Sequence, residues 1–184
     1  MRKITALHNG KGRTKRVNVF LDGKFAFSLE PELVAEEKLE VEQTLPADRI
    51  KEIAASNNVK RCYSAAALFL SYRPRSEPEI RERLRKRGFD EDSIEAVMEK
   101  LKRQNLVDDN AFAQFWKENR ESFSPRSQWL TRLELRRKGI ADQIIEEAVA
   151  TIDDEESAYR AALKRPAVYP ARITRASAAG WVTT

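Results

Sequence analysis

Residues 74–101 read PRSEPEIRERLRKRGFDEDSIEAVMEKL, and residues 125–152 read PRSQWLTRLELRRKGIADQIIEEAVATI. The two align without gaps, Pro74 on Pro125, so that Arg81 matches Arg132, Leu84 matches Leu135, Arg85 matches Arg136, Gly88 matches Gly139 and Ile94 matches Ile145. Internal repetition on this scale marks a helical array, in which stacked units share a continuous core. Each copy has the local chemistry of a helix, a tight turn and a second helix. Ser76 followed by Glu79 is a capping box, and Ser127 holds the same N-cap position without the acid. Gly88 and Gly139 stand where a helix ends on a left-handed residue. The runs Arg85-Lys86-Arg87 and Arg136-Arg137-Lys138 place cations against the negative helix end. The next helix opens on Asp90, Glu91 and Asp92 and carries Ile94, Val97, Met98 and Leu101, an apolar stripe at spacings of three and four. Ile145, Ala148, Val149 and Ile152 repeat that stripe. A leading helix precedes each pair, at Ala65–Tyr72 and around Phe112, Phe115 and Trp116, so the unit is three helices.

The chain on either side reads differently. Val17, Val19 and Leu21 alternate with polar or aromatic neighbours, Asp22-Gly23 intervenes, and Phe25, Phe27 and Leu29 alternate again, which predicts a hairpin. An earlier strand at Lys3–His8 leads into the turn Asn9-Gly10-Lys11-Gly12. A small sheet of this kind needs helices to pack on. Pro31–Lys38 and Pro46–Ala55 read as short helices with proline in the first turn, and Asn57-Asn58 reads as a joint. A third unit starts at Asp153–Glu156 and continues to Lys164. From Pro166 to Thr184 there is no Asp, Glu or Lys and no helical stripe. A reading-frame shift near codon 166 is one explanation, because the neighbouring frame admits a charged, helix-compatible string.

Composition narrows the function. The 184 residues are 41% hydrophobic and 34% charged, so a core is available beneath a polar surface. Lys and Arg number 34 against 29 Asp and Glu, a formal net charge of +5, which favours acidic partners. No window approaches the roughly 20 apolar residues of a membrane span, and Met1-Arg2-Lys3-Ile4 does not resemble a secretory signal. A cytoplasmic protein with no membrane partner is expected. The single cysteine, Cys62, excludes an internal disulfide, and the single histidine, His8, excludes multi-histidine metal centres. No nucleophile–base pair or metal set is visible, so no catalytic residues, no metal and no cofactor are expected.

The chemistry that remains is charge. Between Pro74 and Gly88 stand Arg75, Arg81, Arg83, Arg85, Lys86 and Arg87 against Glu77, Glu79 and Glu82. Between Pro125 and Gly139 stand Arg126, Arg132, Arg136, Arg137 and Lys138 against Glu134 alone. The third helices are acidic. Two arrangements are open: basic and acidic helices pair with each other on a solvated surface, or the second helices align into a basic stripe that follows a polyanionic groove. The repetition favours the stripe, which in turn requires that neighbouring carboxylates do not lock the guanidinium groups. Lys11, Arg13, Lys15 and Arg16 read as a soluble hairpin tip, and Gly10-Lys11-Gly12-Arg13-Thr14 lacks the spacing of a phosphate loop. Cys62 beside Arg61 reads as a packing residue whose thiolate is slightly favoured. Phe112, Phe115, Trp116 and Trp129 read as core and inter-repeat packing.

Four strings in order, Arg73-Pro74-Arg75-Ser76-Glu77, Leu84-Arg85-Lys86-Arg87-Gly88-Phe89, Leu106-Val107-Asp108-Asp109-Asn110-Ala111-Phe112-Ala113 and Leu135-Arg136-Arg137-Lys138-Gly139-Ile140, resemble the RecX family of recombinase regulators. The resemblance runs from about Ala65 to Arg165, and the N-terminal sheet is similar to an extension that some members carry. It implies a mostly α fold of tandem three-helix repeats, in a right-handed or curved array, with a small N-terminal antiparallel β-sheet. The expected divisions are 1–57 for the sheet and short helices, 58–107 and 108–153 for the two repeats, 154–165 for the start of a truncated third, and 166–184 for an aberrant tail, frame-shifted or disordered. The implied function is non-catalytic: binding RecA and RecA–DNA filaments and inhibiting recombinase, ATPase and coprotease activities, in the setting of recombination, DNA repair and the SOS response. The expected partners are the RecA filament and the phosphates of single- or double-stranded DNA, met by a monomer. The residues expected to make the contact are Arg75, Arg81, Arg85, Lys86, Arg87, Arg126, Arg132, Arg136, Arg137 and Lys138. A general nucleic-acid-binding repeat module and a protein-interaction scaffold without nucleic acid are the alternatives.

Overall fold

The computed structural model describes residues 1–10 and 16–164. The reading of 166–184 as an aberrant tail therefore lies outside the described residues, as does most of the basic hairpin tip. The chain divides into two compact units, Met1–Phe112 and Ala113–Thr184.

The first unit opens with strands β1 (Arg2–Asn9), β2 (Val17–Leu21) and β3 (Lys24–Leu29). Asp22 and Gly23 both take positive φ, 51° and 79°, as a two-residue hairpin turn demands. A short helix α1 (Pro31–Glu36) follows, and then β4 (Thr44–Leu45), a two-residue strand that the sequence did not signal. The antiparallel sheet has the order β3-β2-β1-β4. Its buried face, with Ile4, Val19, Leu21 and Leu29, closes on Leu33, Leu39, Leu45 and Ile53.

Ile53 belongs to α2 (Ala47–Leu70), a single helix of 24 residues. The expected joint at Asn57-Asn58 is therefore corrected: both asparagines lie inside a continuous helix. Asparagine is only a mild helix destabiliser, and tertiary partners outweigh it here. Asn57 is buried and donates to the Ser28 carbonyl at 3.1 Å, while Asn58 donates to Ser93 Oγ at 3.0 Å and to the Asp90 carboxylate. One asparagine thus fastens the helix to the sheet and the next fastens it to the first repeat.

The C-terminal half of α2 is the leading helix of that repeat, followed by α3 (Glu77–Lys86) and α4 (Glu91–Arg103). Cys62, Ala65, Ala66, Ile80, Leu84, Ile94, Val97, Met98 and Leu101 form one core. Burial pushes the Cys62 thiol up to about 11, with the nearby Asp90 charge acting in the same direction. The slightly favoured thiolate is thereby overturned; Cys62 is a packing residue.

In the second unit α5 (Asp109–Phe123) leads into α6 (Gln128–Arg137), α7 (Asp142–Val149) and α8 (Asp154–Lys164). Thr131, Leu135, Ile145, Ala148 and Val149 are buried there. Trp129 departs from its reading as a packing residue: it is 65% exposed, on the outward side of α6.

The capping expectations are met. Ser76 and Glu79 form the reciprocal capping box, and Ser127 accepts from the Leu130 amide. Gly88 and Gly139 have φ of 82° and 76°. A further regularity recurs along the chain. Asp108 accepts from the amides of Asn110 and Ala111, and its neighbour Asp109 accepts from the Glu77 amide at 2.8 Å. Asp153 and Asp154 repeat this at α8, Asp154 accepting from the Gln128 amide at 2.7 Å. The start of each of these helices thus supplies one aspartate to its own N-terminus and another to the N-terminus of the helix two before it, α3 for α5 and α6 for α8.

Candidate partner-binding surface

The expected contact residues fall into two groups, and the division is the same in both units. The first group is held by carboxylates. Arg81 donates from Nε to Glu77 at 2.8 Å and from Nη1 to Glu95 at 2.7 Å, with only 19% of its side chain exposed. Arg132 sits at the matching position and donates from Nε and Nη2 to the two oxygens of Glu146, at 2.7 and 2.8 Å. Arg85 makes a two-pronged pair with Glu91, and its counterpart Arg136 donates to Asp142 at 2.8 Å. Glu91, Glu95, Asp142 and Glu146 lie on the helix after the turn, so their pairs fasten a second helix to a third, while Glu77 holds Arg81 from within α3. The hydrogen bond to Glu95 is the main reason the Arg81 guanidinium holds its proton more firmly than usual, and Glu146 does the same for Arg132. Glu91, Glu95 and Glu146 are correspondingly held below the usual carboxylate range, each chiefly by the hydrogen bond from its arginine.

This geometry is the paired arrangement of basic and acidic helices for these four. Arg81, Arg85, Arg132 and Arg136 pair across the turn within their own unit. Their charge is shared with neighbouring carboxylates of the same unit. The pairing arrangement weighed from the sequence has its signal in Glu91, Glu95, Asp142 and Glu146, which recur at matching places in the two copies.

The second group stands at the ends of the same helices. Lys86 reaches Glu82 one turn back, at 2.6 Å between mostly exposed side chains. Arg87, Arg126 and Arg137 are exposed and have no ion pair among the described residues. Lys138 lies 5.0 Å over the Trp116 ring. Arg75 stacks at 4.0 Å on Phe69, with its Nε buried and unpaired, and burial lowers its pKa from the usual value. Lys86 and Arg87 correspond to Arg137 and Lys138, so both second helices terminate in two adjacent cations beside a left-handed glycine. Among the described residues no cluster of His, Cys, Asp and Glu could hold a metal ion, and no helix is long and apolar enough to cross a membrane.

Known proteins resolve the family. Residues 2–45 match the regulatory protein RecX N-terminal domain, 62–101 the first RecX three-helix domain and 108–149 the second. A regulatory protein RecX of Clostridium beijerinckii is 34% identical over 156 residues, covering 84% of this chain and 72% of the relative.

The chain belongs to the RecX family of regulatory proteins.

A RecX of Clostridium botulinum is 33% identical over 168 residues, covering 90% of this chain and 78% of its own. A crystal structure of a regulatory protein RecX superposes with a TM-score of 0.64 at 27% identity, over 90% of this chain and 86% of that one. RecX from Lactobacillus salivarius gives a TM-score of 0.53 at 28% identity, over 57% of this chain and 68% of that one. RecX proteins are regulators without a catalytic centre of their own.

Proposed function

We propose that this RecX protein binds RecA recombinase filaments in the cytoplasm, as a monomer, and restrains ATP hydrolysis, strand exchange and coprotease activity. The two three-helix repeats, 58–107 and 108–153, are the working body. The cations at the helix ends, Lys86, Arg87, Arg137 and Lys138 with Arg126 and Arg75, make the contact. Arg81, Arg85, Arg132 and Arg136 act indirectly, by holding each turn so that those cations project.

The single observation that supports this reading is the repetition of a basic helix end. The same two-residue basic end recurs on α3 and α6, while the inner arginines of both helices are paired. Arg87, Arg126 and Arg137, exposed and with no ion pair among the described residues, are available to the acidic surface of a protein filament or to DNA phosphates.

The test is RecA ATPase on single-stranded DNA, with the full chain carrying Lys86→Glu, Arg87→Glu and Arg137→Glu. The wild type is expected to inhibit and the triple variant to need about tenfold more protein or above for the same inhibition, with helical content unchanged by circular dichroism. A folded triple variant that inhibits like the wild type removes these residues from the contact. A wild type that binds filaments no better than bare DNA turns the reading toward a general nucleic-acid module.

A further inference from the structure

The first unit contains a pocket of about 330 Å³, at the lower end of the roughly 300–1,000 Å³ usual for ligand clefts. One wall is the end of α2 and the linker into α3, where Leu70 and Arg75 stand. The other is the turn from α4 into α5, with Leu106 and Asp108, continued by Phe112 in the first turn of α5. Leu106 is half exposed, and Phe112 is buried behind it. The second repeat lacks this lining. Counting from the matched Pro74 and Pro125, and from the matched Asp108 and Asp153, the places of Leu70, Leu106 and Phe112 are held by Glu121, Thr151 and Ser157. The arginine is kept, as Arg126, and the apolar surround is not. A repeat therefore folds without that surround, and packing of the unit does not account for it.

The polar groups of the pocket are unequally committed. Arg75 Nε is buried and has no hydrogen-bond partner. The guanidinium is held in place by the Phe69 ring, 4.0 Å from its centroid. Burial lowers the Arg75 pKa, and the like charges of Arg73 and Arg83 add to that, against the pull of Glu79. Glu79 itself takes a two-pronged pair from Arg73, at 2.8 and 3.1 Å. Asp108 is also engaged: its Oδ1 accepts from the amides of Asn110 and Ala111 at 2.8 and 3.2 Å. What the pocket lacks is thus an acceptor for Arg75, since a buried donor without one is costly. The Asn105 amide borders the same space and supplies a neutral donor. With one guanidinium and the Asp108 charge in the same pocket, a single negative charge fits better than a doubly charged phosphate ester.

We propose that this pocket binds an organic carboxylate: Arg75, with the Asn105 amide, takes the carboxylate, and Leu70, Leu106 and Phe112 take an apolar body the size of one ring. The carboxylate belongs either to a free small acid or to the end of a peptide chain. Arg75 also serves the proposed filament contact, but the pocket does not depend on that reading.

An amide-detected NMR titration of the full chain with sodium phenylacetate tests it, with acetate, phenethylamine and phenyl phosphate as comparators. The assay contains no recombinase, so its failure leaves the filament proposal standing, and failure of that proposal leaves this one. Phenylacetate is expected to give saturable shifts centred on the amides of Asn105, Leu106, Ala111 and Phe112. Arg75→Gln is expected to weaken binding about tenfold, through loss of a charge-assisted hydrogen bond. Leu106→Ala is expected to weaken it about threefold, through loss of apolar contact alone. The spectrum of each variant reports whether it is folded, and Leu106→Ala with the comparators still decides the matter if Arg75→Gln is not. Tighter binding of N-acetylglycylphenylalanine than of phenylacetate assigns the end of a peptide chain, and weaker binding assigns a free acid. The proposal is overturned by a wild type without saturable shifts at these amides, by a comparator that binds as tightly as phenylacetate, or by folded variants that bind like the wild type.

Discussion

The helix pair α3–α4 and the pair α6–α7 are two solutions to one problem, and they differ in how fully each is fastened. At matching core positions the first has Ile80 and the second Thr131, both fully buried. The threonine hydroxyl has no hydrogen-bond partner. In the first pair Ser76 and Glu79 cap α3 reciprocally, and Arg73 also reaches Glu79 at 2.8 Å; in the second Ser127 caps α6 alone. Arg81 belongs to a network with Glu77, Glu95 and, through Glu77, Lys102, whereas Arg132 has Glu146. What both pairs keep is the buried leucine, the glycine turn, the arginine–carboxylate fastening and the basic helix end. Features kept through divergence of two copies define the unit; the remainder is reinforcement particular to the first.

The comparison can be broken most forcefully in the core. Leu84→Ala and Leu135→Ala each remove a fully buried side chain and are expected to cost about 2–5 kcal/mol in urea denaturation. A negligible cost at either site would end the equivalence. At the caps, Ser76→Ala is expected to cost about 1 kcal/mol or somewhat more, and Ser127→Ala less, because only the first also breaks a reciprocal box. Thr131→Val has the opposite sign: it removes an unsatisfied buried hydroxyl at nearly constant shape and is expected to stabilise by about 1 kcal/mol. Trp116 and Trp129 lie in the same unit and report its unfolding by fluorescence.

Acid gives the smallest and broadest effect. Glu91, Glu95 and Glu146 are held below their ordinary pKa by the arginines that donate to them. For Glu77 burial works against ionisation, but the hydrogen bonds from Lys102 and Arg81 outweigh it and lower its pKa too. A carboxylate depressed in the folded state contributes stability that is complete above its unfolded value and lost as pH falls through the folded one. Thermal stability is therefore expected to be flat near neutrality and to fall below about pH 4.5, the unshifted glutamate value. Arg81→Ala should remove more of that acid-sensitive part than Arg132→Ala, since it releases two glutamates.

Much of this architecture is legible in the residues because its signals are local. Ser76, Gly88, Asp90 and Asp22-Gly23 each dictate their own few dihedral angles, and the stripe Ile94-Val97-Met98-Leu101 needs no knowledge of its partner. What escaped depended on distant contacts. The run through Asn57-Asn58 looks like a break until Ser28, Asp90 and Ser93 supply partners. The strand Thr44–Leu45 exists because β1 has a free edge there. Trp129 has the hydrophobicity of a core residue, yet it stands on the outward side of α6. At the candidate surface, counting cations on one helix could not separate spent charges from available ones, because the answering acids lie across a turn.

That separation is open to one direct comparison in a RecA filament-binding assay. In one variant the pair Arg85–Glu91 is reversed, Arg85→Glu with Glu91→Arg; in the other, Lys86 and Arg87 become glutamate. The reversed pair keeps the fastening and the net charge, so filament affinity is expected to stay within about twofold of the wild type, while the helix-end variant should lose about tenfold or more. Equal losses from the two would mean that the paired arginines touch the partner themselves, contradicting the division between fastening and contact.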